Sequence, residues 1–243
     1  MTRLLYLFSS AVALAVLASC TTLPVVASAG RDDAGRRWGL RGFKTIIIDA
    51  GHGGKDFGAP SKSTGQLEKT LTLDTAKRLR AELADSFHTI LMRSDDSFVD
   101  LDERVARANR YDNAVLVSIH FNSGPRSLRG PETYFWRVDS HGLAVRLQRA
   151  MTRISPGPQA NRGLVRRRLR LTRNPLIPCV LVEGGYLSNP AEAHLICDPA
   201  YRQGLARAIA AAIRTQAAIG DAGTGPLPPP LTSPPSRAGD RRK

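Results

Sequence analysis

Residues 44–54, KTIIIDAGHGG, decide the fold of this chain. The first half is a nearly continuous, β-branched apolar run, which is typical of a strand covered on both faces of a sheet. A histidine between glycines, His52, follows the run at once. Residues 89–92, 114–119 and 179–182 share its apolar character. The sequence therefore predicts at least four buried strands.

Helical patterns separate these runs. Residues 68–84 carry leucine and alanine at helical spacing, and Asp100 with Glu103 resembles a capping box that starts a helix over 101–109. Three more helices are predicted after Ser140, from Asn189-Pro190, and from Asp198-Pro199 to residue 219. Strands that alternate with helices predict an α/β fold. We expect one domain with a mostly parallel (mixed) sheet and helices on both faces.

The amino-terminal residues predict export. Arg3 precedes an apolar run over 4–18, which is shorter than the roughly 20 residues that a membrane-spanning helix needs. Residues 1–19 are therefore interpreted as a removable signal peptide. Residues 17–20, LASC, resemble the lipobox of bacterial lipoproteins, which predicts lipidation of Cys20. The alternatives are an ordinary signal peptide with a chance cysteine, or a short anchor.

The remaining chain divides by composition. Residues 20–41 lack periodicity and suit a tether, and residues 219–243 are rich in proline and end in RRK, which predicts a disordered basic tail. Residues 42–218 are left as one folded domain. Cys179 and Cys197 fit no zinc motif, and Cys179 is expected to be a buried structural residue.

The charge of the chain indicates an anionic partner. Its 35 Lys and Arg exceed its 21 Asp and Glu, giving a formal net charge of +14. Export argues against nucleic acid and favours anionic polymers of the cell envelope. Residues 124–175 contain twelve arginines and only two acidic residues, Glu132 and Asp139. This segment is either a surface for carboxylates of peptide stems or envelope polymers, or a solvated basic face.

Four polar residues are predicted to meet at one edge of the sheet. His52, His120 and Glu183 each follow a predicted strand, and Glu68 opens a helix that returns to the same edge. Sites in open parallel α/β sheets form outside the carboxyl ends of the strands. Two imidazoles, a carboxylate and water form a catalytic zinc set, and a second carboxylate supplies a base. Each residue alone also has a structural explanation, and the residues do not decide which glutamate binds metal.

Several motifs in order resemble the zinc-dependent N-acetylmuramoyl-L-alanine amidases, which are bacterial cell-wall hydrolases related in fold to zinc exopeptidases. These motifs span residues 43–218 and are TIIIDAGHGGKDFGA, the Glu68 helix, LMRSDDSFVDLDERVARAN, LVSIHFNS, GPETYFW and VLVEGGYLSNPAEAHLICDPAYRQGLARAI. The resemblance implies one zinc per chain, held by His52, Glu68 and His120, with Glu183 as the catalytic carboxylate. It also implies cleavage of the amide between N-acetylmuramic acid and L-alanine of the stem peptide. Asn122, Gly184 and Gly185 are expected to contact the substrate.

The resemblance implies peptidoglycan as the substrate and partner. Lipidated Cys20 would hold the protein on a membrane facing the periplasm, and Thr21 after it favours the outer membrane. The compact stretch between His120 and Glu183 predicts a permanently open site, and Phe121, where a small residue is common, is expected to narrow it.

Two other functions compete with the amidase hypothesis. One is a zinc peptidase that cuts within the stem peptide, and the other is a catalytically silent, peptidoglycan-binding lipoprotein. The silent protein would be expected to lack a ligand or the base, whereas all four residues are present. The sequence leaves the oligomeric state open.

Overall fold

The computed structural model describes residues 39–157 and 160–229. The predicted signal peptide, Cys20, most of the tether and residues 230–243 lie outside the described residues. Among the residues that are described, no helix combines the length and apolarity needed to cross a membrane.

The core is a six-stranded mixed sheet. Its strands are β1 (Thr45–Ala50), β2 (His88–Leu91), β3 (Ala114–Asn122), β4 (Glu132–Phe135), β5 (Gly163–Arg166) and β6 (Cys179–Tyr186). They lie in the order β2-β1-β3-β6-β4-β5. All neighbours are parallel except β4 and β6, which are antiparallel. The mostly parallel sheet predicted from the apolar runs is confirmed.

Six helices accompany the sheet in the described residues. They are α1 (Glu68–Leu83), α2 (Leu101–Ala108), α3 (His141–Ile154), α4 (Arg170–Arg173), α5 (Pro190–Cys197) and α6 (Pro199–Ile219). The predicted cap of α2 is present, because the Asp100 side chain accepts a hydrogen bond from the Glu103 N–H. Asn189 and Asp198 cap α5 and α6 in the same way.

Helices cover both faces of the sheet, as the alternation of strands and helices predicts. On one face, Ile46 and Ile48 of β1 pack in a cluster with residues of α1, α3 and α6. On the other face, Ile47 and Cys179 pack with Ala108 of α2 and Leu171 of α4. Cys179 is fully buried, and Cys179 and Cys197 are both free thiols.

The sequence patterns missed two strands and cut two others short. β4 and β5 have four residues each and include polar or charged side chains, so they lack an apolar run. β3 and β6 were predicted to end at residues 119 and 182, but they continue to Asn122 and Tyr186. His120 and Glu183 therefore lie within the two strands, near their carboxyl ends, and pair directly opposite each other.

The start of the described domain contacts the end of α6 and the turn that follows it. The Gly39 N–H donates to the Asp221 carboxylate over 2.6 Å, and the Gly42 N–H donates to the Ala217 carbonyl over 2.8 Å. Arg146 of α3 donates to the Gly220 carbonyl. The turn after α6 therefore packs on the domain beyond residue 218.

Candidate metal centre

Three side chains from distant parts of the sequence converge at the carboxyl edge of the sheet. His52 follows β1, Glu68 opens α1, and His120 lies near the end of β3. Their ligand atoms all lie within 4.8 Å of one another. Glu68 Oε1 is 3.0 Å from His52 Nε2 and 2.9 Å from His120 Nδ1.

The backbone at His52 adopts an uncommon conformation. Its φ of 62° lies in the left-handed region, which costs a residue other than glycine about 1–3 kcal/mol. Arg104 of α2 supports this turn by donating to the His52 carbonyl over 2.7 Å and to the Ala50 carbonyl over 3.0 Å. The strain positions the imidazole toward Glu68.

Two glycines permit the close approach of the three side chains. A Cβ on Gly51 would lie 2.3 Å from Cε1 of the His120 ring. A Cβ on Gly58, whose φ is +66°, would lie 2.6 Å from Glu68 Oε2. The sequence analysis did not select Gly58, although it lies in the motif around His52.

Glu68 is buried and fully partnered. Its Oε2 accepts from the Ala59 N–H over 2.7 Å, and its Oε1 accepts from the Phe121 N–H over 3.2 Å. Burial by itself would raise the pKa of the Glu68 carboxyl. The hydrogen bonds and charges of His120 and His52 outweigh burial and hold that pKa well below its usual range. Glu68 is therefore an ionised oxygen donor.

Asp56 is a site residue that the sequence analysis missed. Its Oδ2 lies 3.0 Å from Nδ1 of His52, on the other side of the ring from Glu68. Burial lowers the pKa of His52, but Glu68 and Asp56 together raise it above its ordinary value. A carboxylate on the second ring nitrogen fixes the orientation of a metal-binding histidine. The spacing of four residues from His52 was the available signal.

Glu183 lies beside this cluster without a partner of its own. It pairs across β3 and β6 with His120, so the two side chains project from the same face of the sheet. The residue is partly exposed, but its Oε2 is buried and has no hydrogen-bond partner among the described residues. Burial, followed by the negative charges of Glu68 and Glu132, raises the pKa of Glu183 well above its ordinary value.

Glu132 is a third carboxylate that the sequence analysis did not place in the site. It lies directly opposite Glu183 on β4. Its Oε2 accepts hydrogen bonds from Tyr134 (2.7 Å), Asn122 (3.1 Å) and Tyr186 (3.3 Å). Glu132 belongs to the motif GPETYFW, but it lies on a strand that the apolar pattern did not reveal. Asn122 reaches the site through this network.

Gly184, Gly185 and Phe121 pack closely against the core, and the substrate contacts expected of the two glycines stay predictions. A Cβ on Gly184 would lie 2.6 Å from Leu205 of α6 and 2.7 Å from the Phe121 ring, and one on Gly185 would lie 3.2 Å from Ile196. These glycines allow the strand to pack against helices. Phe121 is fully buried in the core, so the expectation that it narrows the site is wrong. Its side chain projects to the opposite face from His120, because successive residues of a strand alternate.

The three converging residues fit a zinc ion. Catalytic zinc sites use three protein ligands drawn from imidazole nitrogen, carboxylate oxygen and thiolate, and leave a position for water. His52, Glu68 and His120 supply two nitrogens and an ionised oxygen in one cluster. Glu183 is adjacent to this set but outside it.

Residues 46–215 match the family model for N-acetylmuramoyl-L-alanine amidase. The chain belongs to this amidase family. Membership confirms the resemblance that the ordered motifs indicated. The match begins in β1 and ends within α6, so it includes every residue of the cluster.

Individual members of the amidase family show the same likeness. The probable cell wall amidase LytH of Staphylococcus aureus is 36% identical over 192 residues, which cover 78% of this chain and 62% of that relative. This chain thus matches less than two thirds of the curated relative's length.

Solved amidase structures share the fold. The catalytic domain of CwlV, an N-acetylmuramoyl-L-alanine amidase from Bacillus (Paenibacillus) polymyxa var. colistinus, aligns with a TM-score of 0.68 and 34% identity, covering 71% of this chain and 97% of that chain. The CwlD amidase from Clostridioides difficile, solved in complex with the GerS lipoprotein, aligns with a TM-score of 0.67 and 30% identity, covering 71% and 97%.

Proposed function

We propose that this protein is a zinc-dependent peptidoglycan hydrolase that cleaves the amide between N-acetylmuramic acid and L-alanine of the stem peptide. The observation that carries the proposal is the unpartnered Glu183 carboxylate oxygen beside the His52, Glu68 and His120 cluster. Membership of the amidase family supports the choice of bond.

The reaction needs a nucleophile and a group that moves one proton. When bound, zinc lowers the pKa of its water to about 7 and polarises a carbonyl oxygen. Glu183 accepts the proton from the attacking water while the oxygen forms a bond to the lactyl carbonyl carbon. Glu183 then returns that proton to the nitrogen of L-alanine as the carbon–nitrogen bond breaks. The products are a free lactyl carboxylate and a free amino terminus.

The surrounding residues prepare this transfer. The pKa of Glu183 is raised by burial and by neighbouring carboxylates, which makes it a stronger base than an exposed glutamate. Its partly exposed position lets it reach a substrate that approaches the open carboxyl edge of the sheet. Asp56 orients His52, and Arg104 holds the backbone of the same residue.

A digestion of purified peptidoglycan tests the proposal. We expect mass spectrometry to find peptides with a free L-alanine amino terminus and glycans with a free lactyl carboxylate. A chelator should abolish release, and added zinc should restore it. Fragments cut within the stem would instead identify a peptidase, and binding without any release would identify a silent wall-binding protein.

We also propose that the protein is exported and lipid-anchored through Cys20, facing the periplasm from the outer membrane. The charged start, the apolar run over 4–18 and the LASC sequence support this proposal. Mass spectrometry of the mature amino terminus should find a lipid-modified Cys20. Replacement of Cys20 by alanine should release the protein from membranes, and its retention would contradict the proposed anchor.

A further inference from the structure

The twelve arginines of residues 124–175 are not equivalent in the structure. Several are held by the fold itself. Arg137 pairs with Asp139, Arg146 donates to Gln216 and to two carbonyls after α6, and Arg166 donates to the Trp136 carbonyl. Arg162 and Arg167 differ, because neither guanidinium pairs with a carboxylate or donates a hydrogen bond to a backbone carbonyl of the described residues.

Arg167 lies on the same face of the sheet as Glu183. Its guanidinium carbon is 5.9 Å from the centre of the Tyr134 ring. The Tyr134 hydroxyl donates to Glu132, which is directly opposite Glu183, whereas the intervening Thr133 donates to Gln148 on the α3 side. The alternation along β4 therefore places Tyr134 and Arg167 on the catalytic side.

Arg162 lies at the edge of the sheet where the metal centre is built. Its N–H donates to the Pro131 carbonyl over 3.0 Å, immediately before Gly163 pairs with Glu132. Its side chain lies near the Tyr186 hydroxyl, where its positive charge partly offsets the rise in the pKa of that group, and the same hydroxyl contacts Glu132. Arg162 and Arg167 thus approach the Glu132 network from two sides.

The position of the two arginines sets the part of a substrate that they can reach. Arg162 lies just before β5, at the end of the sheet that carries Glu183 two strands away. Arg167 follows β5, five residues further along the chain, and its side chain reaches the Tyr134 ring. Two spacings between strands amount to about 10 Å, and an extended peptide advances about 3.3–3.6 Å per residue. A peptide that starts at the scissile amide and runs across β6 and β4 would bring its second or third residue to Arg162, with the Arg167 side chain on the same face of the sheet.

We propose that Arg162 and Arg167 form a subsite that binds an acidic group on the second or third residue of the stem peptide. This inference rests on the proposed amidase function, because it assumes that the peptide leaves the metal centre on the amine side of the cleaved bond. It selects two of the twelve arginines as the part of the basic segment that contacts substrate.

A carboxylate is the ligand that these two side chains fit. Guanidinium groups bind carboxylates through paired, charge-assisted hydrogen bonds. Contact with Tyr134 and Tyr186 restricts the two arginine side chains before the substrate arrives, which reduces the entropy lost on binding. Glu132 is buried, and one of its oxygens accepts three hydrogen bonds from other side chains, so it does not form an ion pair with either arginine.

The first test uses the unaltered protein and two substrates. Soluble N-acetylmuramoyl peptides are prepared with free carboxylates on the second and third residues, or with the same groups amidated. We expect kcat/KM to be about tenfold higher for the free acid, mainly through a lower KM. Equal kcat/KM for the two substrates would overturn the subsite.

Variants locate the discrimination. The double variant Arg162→Gln/Arg167→Gln should raise KM for the free acid about tenfold, leave kcat within about twofold, and leave the amidated substrate unaffected. Arg80→Gln/Arg153→Gln is the matched control, because these arginines are exposed on α1 and α3 and the pair removes the same two charges from the other side of the sheet. An equal KM increase in the control would show a general charge effect and contradict the subsite.

The outcome is separable from that of the proposed function. If the unaltered protein releases L-alanine peptides from both substrates at one rate, the amidase function stands and the subsite fails. If it cleaves neither substrate with zinc present, the proposed function itself fails, and the subsite fails with it.

Discussion

Two carboxylates on the same face of the sheet have opposite surroundings. Asp49, at the end of β1, is fully buried and accepts hydrogen bonds from Arg104 and from the Ser118 hydroxyl. Glu183, two strands away on β6, has a buried oxygen with no partner in the described part of the chain. A buried polar group without a partner costs folding free energy. The fold therefore satisfies the hydrogen-bonding needs of the Asp49 carboxylate and leaves one oxygen of the Glu183 carboxylate unsatisfied.

The difference separates positioning from chemistry. Around Asp49, Arg104 and Arg93 donate to the carbonyls of Ala50, Gly51 and His52, which fixes the turn that carries His52, a proposed metal ligand. Around Glu183, the nearest groups are other carboxylates, which raise its affinity for a proton. The fully hydrogen-bonded network around Asp49 holds the backbone in place, whereas the Glu183 carboxyl is available to a reacting water.

Replacement of the Glu183 carboxylate should give the largest effect. Glu183→Gln removes the proton acceptor but preserves shape, so kcat should fall by about 10²–10⁴ while zinc content stays near one per chain. Glu103→Gln, at an exposed position of α2, is the control and should keep full activity. Loss of zinc from the Glu183→Gln protein would mean that the roles of Glu68 and Glu183 were exchanged.

Removing Arg104 from the hydrogen-bond network around Asp49 should mainly reduce the stability of the protein. Arg104→Met leaves the Asp49 carboxylate buried without its cation, so the free energy of unfolding should fall by about 3–5 kcal/mol in urea denaturation. Arg110→Met removes an exposed arginine just after α2 and should change it by less than about 0.5 kcal/mol. A comparably small change for Arg104→Met would show that Asp49 needs no charged partner.

The smallest expected effect is a gain in stability from Glu183→Gln. Because the folded pKa of Glu183 is raised, unfolded chains lose this proton first as pH rises above about 4.3, and the folded state is progressively disfavoured. The variant lacks this penalty. Metal-free variant protein should be more stable than the parent at pH 7, and the difference should disappear near pH 4. A gain that does not change with pH would assign the effect to packing.

The sequence predicted the parts of the site that follow long apolar runs. His52, His120 and Glu183 each come directly after such a run, and Glu68 starts a clear amphipathic helix. The ordered motifs assigned the ligand roles. Glu132 and the two tyrosines stayed hidden, because β4 pairs antiparallel to β6 and is too short to show periodicity.

The sequence also did not predict the contacts between strands and helices that are distant along the chain. The ring of Phe121 and the missing side chain of Gly184 fit each other only because β3 and β6 are neighbours. Glycine after a catalytic residue suggested access for substrate, but close packing against α6 uses the same lack of a side chain. Local sequence cannot distinguish these two uses.

The hydrogen bond between Gly39 and Asp221 brings the amino-terminal end of the described domain to the turn after α6. The amino-terminal end of the described domain and the turn after α6 meet beside the start of β1, whereas the candidate metal centre lies past its end. A strand of six residues spans about 20 Å, so that distance separates the two. Neither the entry at residue 39 nor the turn after α6 therefore approaches the carboxyl edge of the sheet, which stays clear at both points.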